Sequence, residues 1–188
     1  MFYTPSGGTG TWTCRSQLPR YVANGDGTVT DNESGLMWEI ETNTSCAGVV
    51  TCTTSQYTWS SSGTLADGTL FTTFIAGLNG GDYYSPSAGQ DVSTGAGSCF
   101  ANHCDWRIPT VVELQTIVEN TASGCQTSAP CIDPIFGPTA PLNQSAYWTN
   151  STYSAGTTGA YLVYFLNGAV LTDTKTQGGF ARAVRSIR

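Results

Sequence analysis

The chain has 188 residues, 39% of them hydrophobic, which suits one domain with a packed core and large loops. Its net charge of -6 argues against a nucleic-acid or anionic-membrane partner, since both require clustered Lys and Arg. No apolar stretch approaches the ~18 residues of a membrane span, and the low charged content of 11% fits an extracellular or cell-surface protein better than a cytosolic enzyme.

Residues 1–19 are rich in Gly, Thr and Ser and are predicted to form an N-terminal arm or linker, which leaves residues 20–188 as the folded domain. The first residues lack the basic and apolar regions of a signal peptide. If the protein is exported, we therefore expect its signal or anchor to be missing from this chain.

The first half of the domain is predicted to contain a hairpin, a third strand, a polar loop and a helix. Gly and Asn mark the hairpin turn, and apolar residues at helical spacing mark the helix, which Gly80 and Gly81 end. The strands cover residues 20–23, 28–31 and 35–39, the loop covers 42–66, and the helix covers 70–78.

The second half is predicted to contain loops, a helix and antiparallel strands. The helix is well marked, because Thr110 and Glu113 form a capping box directly after Pro109. An Asn-Gly turn at 167–168 between apolar runs indicates a hairpin. Two helices within a mostly antiparallel sheet make an α+β domain. The loops cover residues 82–104 and 121–145, and the strands cover 146–149, 161–166, 169–172 and 180–187.

Six of the seven cysteines form three close pairs in Gly-, Ser- or Thr-rich sequence. Short disulfides that staple loops are the natural interpretation, and they require an oxidising compartment. A zinc site is the alternative, but the chain has no Cys-x-x-Cys and only one His. Cys14 is left over: it is free, bridges to another chain, or shows that one pair is wrong. The predicted pairs are Cys46–Cys52, Cys99–Cys104 and Cys125–Cys131.

Three segments together resemble a known bacterial family. They are GDGTVTD at 25–31 running into GLMW at 35–38, DWRIPT at 105–110 running into Glu113-Leu114, and YWT at 147–149 followed by RAVR at 182–185. In this order they are similar to the C-terminal domain of the Legionella collagen-like adhesin, over roughly residues 20–185. The resemblance implies an extracellular bacterial domain with a C-type-lectin-like fold.

The resemblance also implies limits on function. The domain of the named adhesin is associated with glycosaminoglycan binding and trimerisation. This chain is acidic, which suits a sulfated polyanion poorly, and it has no collagen-like repeat, so a trimer does not carry over. The shared motif residues are mainly structural, and no catalytic residue carries over.

The first turn contains oxygen ligands of the kind that calcium prefers. They belong to Asn24, Asp26, Asp31 and Asn32, but Gly35 stands at the twelfth position counted from Asn24, where an EF-hand has its Glu. An ordinary hairpin turn is the favoured interpretation. Calcium is the alternative and the one cofactor that the sequence suggests.

The charged residues near the second helix are predicted to be structural. Asp105 and Arg107 are expected to be bonded within the helix entry, around a core Trp106. His103 is the one histidine that a catalytic site would have to use, and its neighbour Cys104 is predicted to be in a disulfide. The sequence therefore predicts no enzymatic site.

Four basic residues lie near the C-terminus and leave room for a small basic patch: Lys175, Arg182, Arg185 and Arg188. Alternation along the last strand is expected to place Arg182 and Arg185 on one sheet face, where each pairs with Asp or Glu.

Aromatic residues embedded in polar loops are the candidate ligand-binding residues. An exposed ring can stack on a sugar ring while Asn, Asp and Thr bond its hydroxyls. The alternative is that these rings bury the small core of their own loops. The set is Tyr57, Trp59, Tyr83, Tyr84 and Tyr153.

Together these features predict a secreted or surface-displayed, non-enzymatic binding module whose partner is a glycan or another surface component such as a protein. The alternative is a structural subunit of an extracellular filament or pilus-like assembly. In that case the N-terminal arm and Cys14 would make the subunit contacts.

Overall fold

Short antiparallel strands form most of the regular structure in the computed structural model, which describes residues 18–44, 46–85, 89–93, 97–141 and 145–187. The predicted α+β class is confirmed: helices are few, the sheets are antiparallel, and disulfides staple the loops, as the C-type-lectin-like resemblance implies. Cys14, Arg188 and residues 1–17 of the predicted arm lie outside the described residues.

The strands alternate with long connections, and the helical segments are short. The helical segments are a π-helical turn Leu70–Ile75 that continues into α1 Ala76–Leu78, α2 Val111–Thr116, and the 3-10 turns Phe100–Asn102 and Pro134–Phe136. The strands are β1 Tyr21–Ala23, β2 Thr28–Asp31, β3 Leu36–Glu39, β4 Tyr57–Thr58, β5 Tyr83–Ser85, β6 Gln90–Val92, β7 Ala146–Thr152, β8 Gly159–Tyr164, β9 Ala169–Thr174, β10 Gly178–Gly179 and β11 Val184–Ser186.

Two sheets position most of the described chain. The first has the strand order β1-β2-β3-β11, so the last strand returns to pair with the third, with Val184 opposite Trp38. The second has the order β7-β8-β9. β4 with β10 and β5 with β6 form two-stranded pairs, and isolated bridges such as Arg107 with Val184 add further pairing.

Strand β7 lies between two hydrophobic clusters because its side chains alternate. Tyr147 belongs to the first cluster and its neighbour Trp148 to the second, and both are fully buried. The first cluster also contains Val29, Trp38, Leu114, Phe136, Val163 and Phe165. The second also contains Trp59, Leu70, Phe74, Leu78, Trp106 and Leu162.

Both predicted helices are present. The apolar stripe of the first packs into the second cluster, and Gly80 and Gly81 follow it with positive φ angles of 69° and 103°. In the second, the Thr110 hydroxyl accepts the Glu113 N–H at 3.2 Å and the Glu113 carboxylate accepts the Thr110 N–H at 2.8 Å. The predicted capping box is therefore confirmed.

The structure departs from the predicted loops and strands in several places. Residues 42–66, where the sequence predicts only a loop, contain the short strand β4, which pairs with β10. Residues 82–104 contain the hairpin of β5 and β6, where the sequence predicts only a loop. The predicted last strand, 180–187, shrinks to Val184–Ser186. It shortens because the Glu39 carboxylate accepts the Ala183 N–H at 3.0 Å, in place of a backbone acceptor in the sheet.

Arg182 and Arg185 lie on opposite faces of the C-terminal segment, so the prediction of a shared face is wrong. They are three positions apart, an odd spacing, and side chains alternate along an extended chain. Their predicted pairing with carboxylates is confirmed. Arg182 is fully buried and binds Glu41 at 2.6 Å, whereas Arg185 binds Asp105 at 2.6 Å.

Three segments of the chain hold the buried Arg182 guanidinium. Its Nη1 donates to the carbonyl oxygens of Glu39 at 3.1 Å and Phe136 at 3.0 Å, and its Nη2 donates to Glu41 Oε2 at 2.6 Å. Tyr147 donates its hydroxyl to the same Glu41 oxygen at 2.7 Å. The two carboxyl groups around one guanidinium are both buried, so the site holds more acid groups than one cation can neutralise.

Burial raises the pKa of Glu39 to about 8 and that of Glu41 to about 7, and the nearby Arg182 opposes both shifts. Glu41 receives the charge-assisted bond from Arg182 as well as the Tyr147 hydroxyl. Glu39 receives the Ala183 N–H on Oε2, and its Oε1 has no hydrogen-bond partner in the described part of the chain. Burial therefore favours the protonated form more strongly for Glu39, which lacks the charge-assisted bond that Glu41 receives.

The capping box gives a first prediction. Thr110→Ala should lower the free energy of unfolding by about 0.5–2 kcal/mol, because the Glu113 N–H loses its acceptor. Thr110→Ser, which keeps the hydroxyl, is the matched control. Urea unfolding followed by tryptophan fluorescence measures both, and equal stability of the alanine variant and the native chain would show that the cap does not stabilise α2.

The buried Glu39 gives a second prediction. A carboxyl whose pKa is higher in the folded state stabilises the fold below its unfolded pKa and loses this effect as pH rises through its folded pKa. The free energy of unfolding should therefore fall between about pH 5 and about pH 8. Glu39→Gln, which keeps the acceptor for Ala183 without a proton to lose, should remove most of this fall in denaturant titrations.

Glu41→Gln is the matched control for Glu39→Gln. It removes the charge paired with Arg182 and should cost about 3–5 kcal/mol, because a buried guanidinium loses its counter-ion. Equal destabilisation by the two substitutions at neutral pH would show that burial does not favour the protonated form more strongly for Glu39.

Candidate functional site

The five candidate aromatic residues lie in three different places: two in the core, two at a cleft and one elsewhere on the surface. Tyr57 and Trp59 are 7% and 5% exposed and belong to the second core cluster, so the prediction that they contact a ligand is corrected. The Tyr57 hydroxyl donates to the Val50 carbonyl at 2.8 Å, and Trp59 Nε1 donates to the Thr149 carbonyl at 2.9 Å. These two rings are buried, as the alternative interpretation expects, but in the domain core and not in a small core of their own loops.

Tyr153 lies on a different part of the surface from the other tyrosines of the set. Its ring is 37% exposed and packs edge-on against Tyr161, with 5.5 Å between the ring centroids. It follows β7 and does not line the cleft that contains the remaining pair.

Tyr83 and Tyr84 line an open cleft of about 570 Å³, within the usual size range of ligand pockets. The cleft lies between the first helical segment, the β5–β6 hairpin and the segment that leads into α2. Its apolar floor is formed by Phe71, Ile75, Trp106 and Ile108. Its polar lining includes Asn79, Asp82, Asp91, Ser93, Arg107 and Asn150.

Asn79, at the C-terminal end of α1, fixes the floor of the cleft. Its side chain donates to the Trp106 carbonyl at 2.9 Å and accepts the Trp106 N–H at 2.9 Å, as a neighbouring strand would. On the other side of this segment, Arg107 and Val184 exchange two backbone hydrogen bonds of 3.0 Å and 2.9 Å. The segment is therefore held from both sides, and the floor is preformed.

The β5–β6 hairpin forms one wall of the cleft. Tyr84 lies directly opposite Asp91 in the strand register, and Asp82 lies two residues before Tyr84. Residues directly opposite each other in an antiparallel pair lie on the same face, so Tyr84 and Asp91 share one face of the hairpin. Asp82 directly precedes β5 and lines the same cleft. Tyr84 is 56% exposed, and Asp82 and Asp91 are also exposed.

The other charged residues at the cleft are neutralised by partners, as predicted for structural residues. Arg107 forms a bidentate pair with Glu113, with bonds of 2.8 Å and 2.6 Å. This hydrogen bonding holds the pKa of Glu113 at about 2. Asp105 pairs with Arg185, whose guanidinium also lowers the pKa of Asp105.

The side chains of the proposed calcium site are engaged in a hairpin turn and an ion pair. Asp26 Oδ1 accepts the Thr28 N–H and hydroxyl, and the Asn24 amide donates to Thr28 at 2.8 Å. Asp31 is buried and pairs with Arg20 at 3.2 Å. Within the described ranges no group of three or more His, Cys, Asp or Glu side chains is placed to hold a metal. These contacts are those of an ordinary hairpin turn, and calcium binding at this turn stays a prediction.

The possible basic patch near the C-terminus is not formed by Lys175 and Arg182, because both are buried. The Lys175 ammonium lies 3.8 Å from the centroid of the Trp59 ring and donates to the Thr64 carbonyl at 2.8 Å and the Thr152 hydroxyl at 2.9 Å. Burial lowers the pKa of Lys175. Arg185, which pairs with Asp105, is the remaining member that the structure describes.

The three predicted disulfides, Cys46–Cys52, Cys99–Cys104 and Cys125–Cys131, are confirmed. Cys104 lies on the wall of the cleft, so one disulfide supports the site. His103 packs against the edge of Trp106, with 6.4 Å between ring centroids. No helix among the described residues is long and apolar enough to cross a membrane.

The model of the Lcl C-terminal domain family matches residues 27–185, which is most of the chain. The chain belongs to this family. It is the family that the three sequence segments indicated, and membership suggests a surface or secreted binding module. A comparison with curated proteins gives no significant match.

Of the residues that line the cleft of this Lcl C-terminal domain, the sequence patterns indicate Tyr83 and Tyr84 but not their polar neighbours. Asp82 and Asp91 flank the tyrosines in short polar sequence, which gave no helical or strand periodicity to place them. Asn79 directly precedes the two glycines that end the helix. An Asn at a helix end is commonly a capping residue, and only the fold shows that its amide reaches Trp106.

The Asn79 contact gives a third prediction. Asn79→Leu should lower the free energy of unfolding by about 1–3 kcal/mol, because the buried N–H and carbonyl of Trp106 lose their partners. Asn150→Ala is the matched control, since Asn150 lines the same cleft but is exposed. Chemical denaturation measures both, and a native stability for Asn79→Leu would mean that the floor is held from the Val184 side alone.

Proposed function

We propose that this domain is a surface-displayed, non-enzymatic carbohydrate-binding module that holds a glycan in the cleft beside Tyr84. The observation that carries the proposal is an aromatic residue, Tyr84, that is 56% exposed at the wall of a cleft with an apolar floor. Such a ring stacks on the apolar face of a sugar, and stacking of this kind needs little motion of a preformed site.

The polar groups around Tyr84 support the same ligand. Asp91 lies directly opposite Tyr84 in the hairpin, and Asp82 and Asn150 line the same cleft. Carboxylates and amides accept hydrogen bonds from sugar hydroxyls, and their arrangement around a ring gives orientation as well as affinity.

A sulfated polyanion is a poor fit to this cleft. Its two exposed carboxylates would repel sulfate, and the net charge of -6 would slow the approach of a polyanion. Lys175 and Arg182, which would have to attract such a ligand, are buried in internal contacts.

Two observations support a binding role without catalysis. Cys99 and Cys104, the described cysteines near His103, are joined in a disulfide, so neither offers a free thiol as a nucleophile. The His103 imidazole packs against Trp106. The charged residues lining the cleft floor are engaged in ion pairs, as Arg107 is with Glu113. The filament alternative depends on the N-terminal arm and Cys14, which lie outside the described residues.

Removing the Tyr84 ring gives the fourth prediction. On a glycan array followed by calorimetry with the best ligand, Tyr84→Ala should weaken binding roughly tenfold, because the sugar loses its stacking surface. Tyr153→Ala, which removes another exposed tyrosine outside the cleft, should leave affinity unchanged. Equal losses for both variants, or no glycan bound by the oxidised protein, would overturn the proposal. In the second case, light scattering and electron microscopy would test assembly instead.

A further inference from the structure

Two carboxylates in the cleft have no internal partner. Asp82 and Asp91 are exposed, and neither side chain forms an ion pair or hydrogen bond within the described part of the chain. Other aspartates have internal partners. The Asp31 carboxylate accepts a bond from Arg20, that of Asp67 from Ser60, and that of Asp105 from Arg185. Two unpaired charges of the same sign on the lining of one cleft make its wall locally negative.

No other charge on the cleft lining compensates them. Arg107 is the one cationic residue among the lining residues that the structure describes, and both of its terminal nitrogens bind the Glu113 carboxylate. Arg185, which is bonded to Asp105, is likewise neutralised. The cleft therefore presents a net negative field beside an exposed aromatic ring.

An ammonium group on a sugar ring matches this arrangement. It donates up to three hydrogen bonds, which carboxylates on either side of a stacked ring can accept. It also interacts favourably with the face of a tyrosine ring when it lies close to it. An N-acetyl group at the same position carries no charge, and an N-sulfate group would be repelled.

We propose that the cleft selects glycans that carry free amino groups, such as oligosaccharides of glucosamine, over their N-acetylated and N-sulfated counterparts. Asp82 and Asp91 bind the ammonium groups, and Tyr84 stacks on the sugar ring between them. This inference rests on the proposed glycan-binding function and specifies its ligand class.

Calorimetry with three matched hexasaccharides tests the selection: glucosamine, N-acetylglucosamine and N-sulfoglucosamine oligomers. At about pH 6 the sugar amines are protonated. Since an exposed ion pair changes an equilibrium constant by a factor of about 1.5–5, two such pairs should make the amino form bind roughly 2- to 25-fold more tightly than the N-acetyl form. This advantage should shrink at high salt, whereas the affinity of the neutral oligomer should change little.

Asp82→Asn and Asp91→Asn should each reduce the preference for the amino form, and the double variant should remove it, while the N-acetyl form stays bound as before. Asp173→Asn is the matched control, because it removes the same charge from an exposed position outside the cleft. If Asp173→Asn reduces the preference as much, the attraction is that of the acidic surface as a whole and the proposal is wrong.

The two proposals fail in different ways. If the N-acetyl form binds in a Tyr84-dependent manner with no preference for the amino form, the selection is overturned while glycan binding stands. If the amino form binds independently of Tyr84, or if none of the three oligomers binds, the selection is overturned. Absence of binding to every glycan on the array would overturn the proposed function as well.

Discussion

The buried guanidinium of Arg182 constrains the arrangement of most of the domain. It binds the Glu39 carbonyl in β3, the Glu41 carboxylate just beyond that strand, and the Phe136 carbonyl in a 3-10 turn. Through Glu41 it also reaches the hydroxyl of Tyr147 in β7. A buried charge that lacks its partners is strongly destabilising, so these segments have to assemble together around it. The site contributes uniqueness of packing, since well-packed hydrophobic residues can replace a buried ion pair at little cost in stability.

This core is connected to the cleft through the strand that follows Arg182. Val184 exchanges backbone bonds with Arg107, and the adjacent Trp106 is bonded to Asn79 at the end of α1. The cleft floor is thus built on the same sheet that the guanidinium holds in place. Tyr84, in contrast, lies on a short hairpin at the edge of that scaffold and is exposed. A rigid floor with recognition residues on an adjoining hairpin is a common arrangement for binding sites.

Features with local signals could be predicted from the sequence. The capping box can be recognised from the three-residue spacing of Thr110 and Glu113 alone. The three disulfides can be recognised from close cysteine pairs in loop sequence. The hairpin around Gly25 and Gly27 likewise depends on residues that favour positive φ. These elements, and with them the α+β class, follow from contacts between neighbours in the chain.

Features that depend on distant contacts could not be predicted in this way. Trp59 lies in a polar loop, and its burial follows from contacts with Lys175 and Thr149, more than 80 residues further along the chain. In the sequence, Asn79 has the pattern of an ordinary residue at a helix end. Only the fold shows that its side chain bonds to Trp106. The β5–β6 hairpin is too short to show a periodic pattern, so the carboxylates beside Tyr84 were not recognised as a group. Here tertiary packing, rather than local propensity, decides which side chains are exposed.

The most direct test of the account is a map of backbone and side-chain NMR shift changes when the oxidised domain is titrated with the glycan that binds it most tightly. The account predicts that the changes concentrate at Tyr84, Asp82 and Asp91 and at the indole of Trp106, with Tyr153 and the buried Trp59 unaffected. Shift changes centred on Tyr153 and Tyr161, with Tyr84 unchanged, would contradict it.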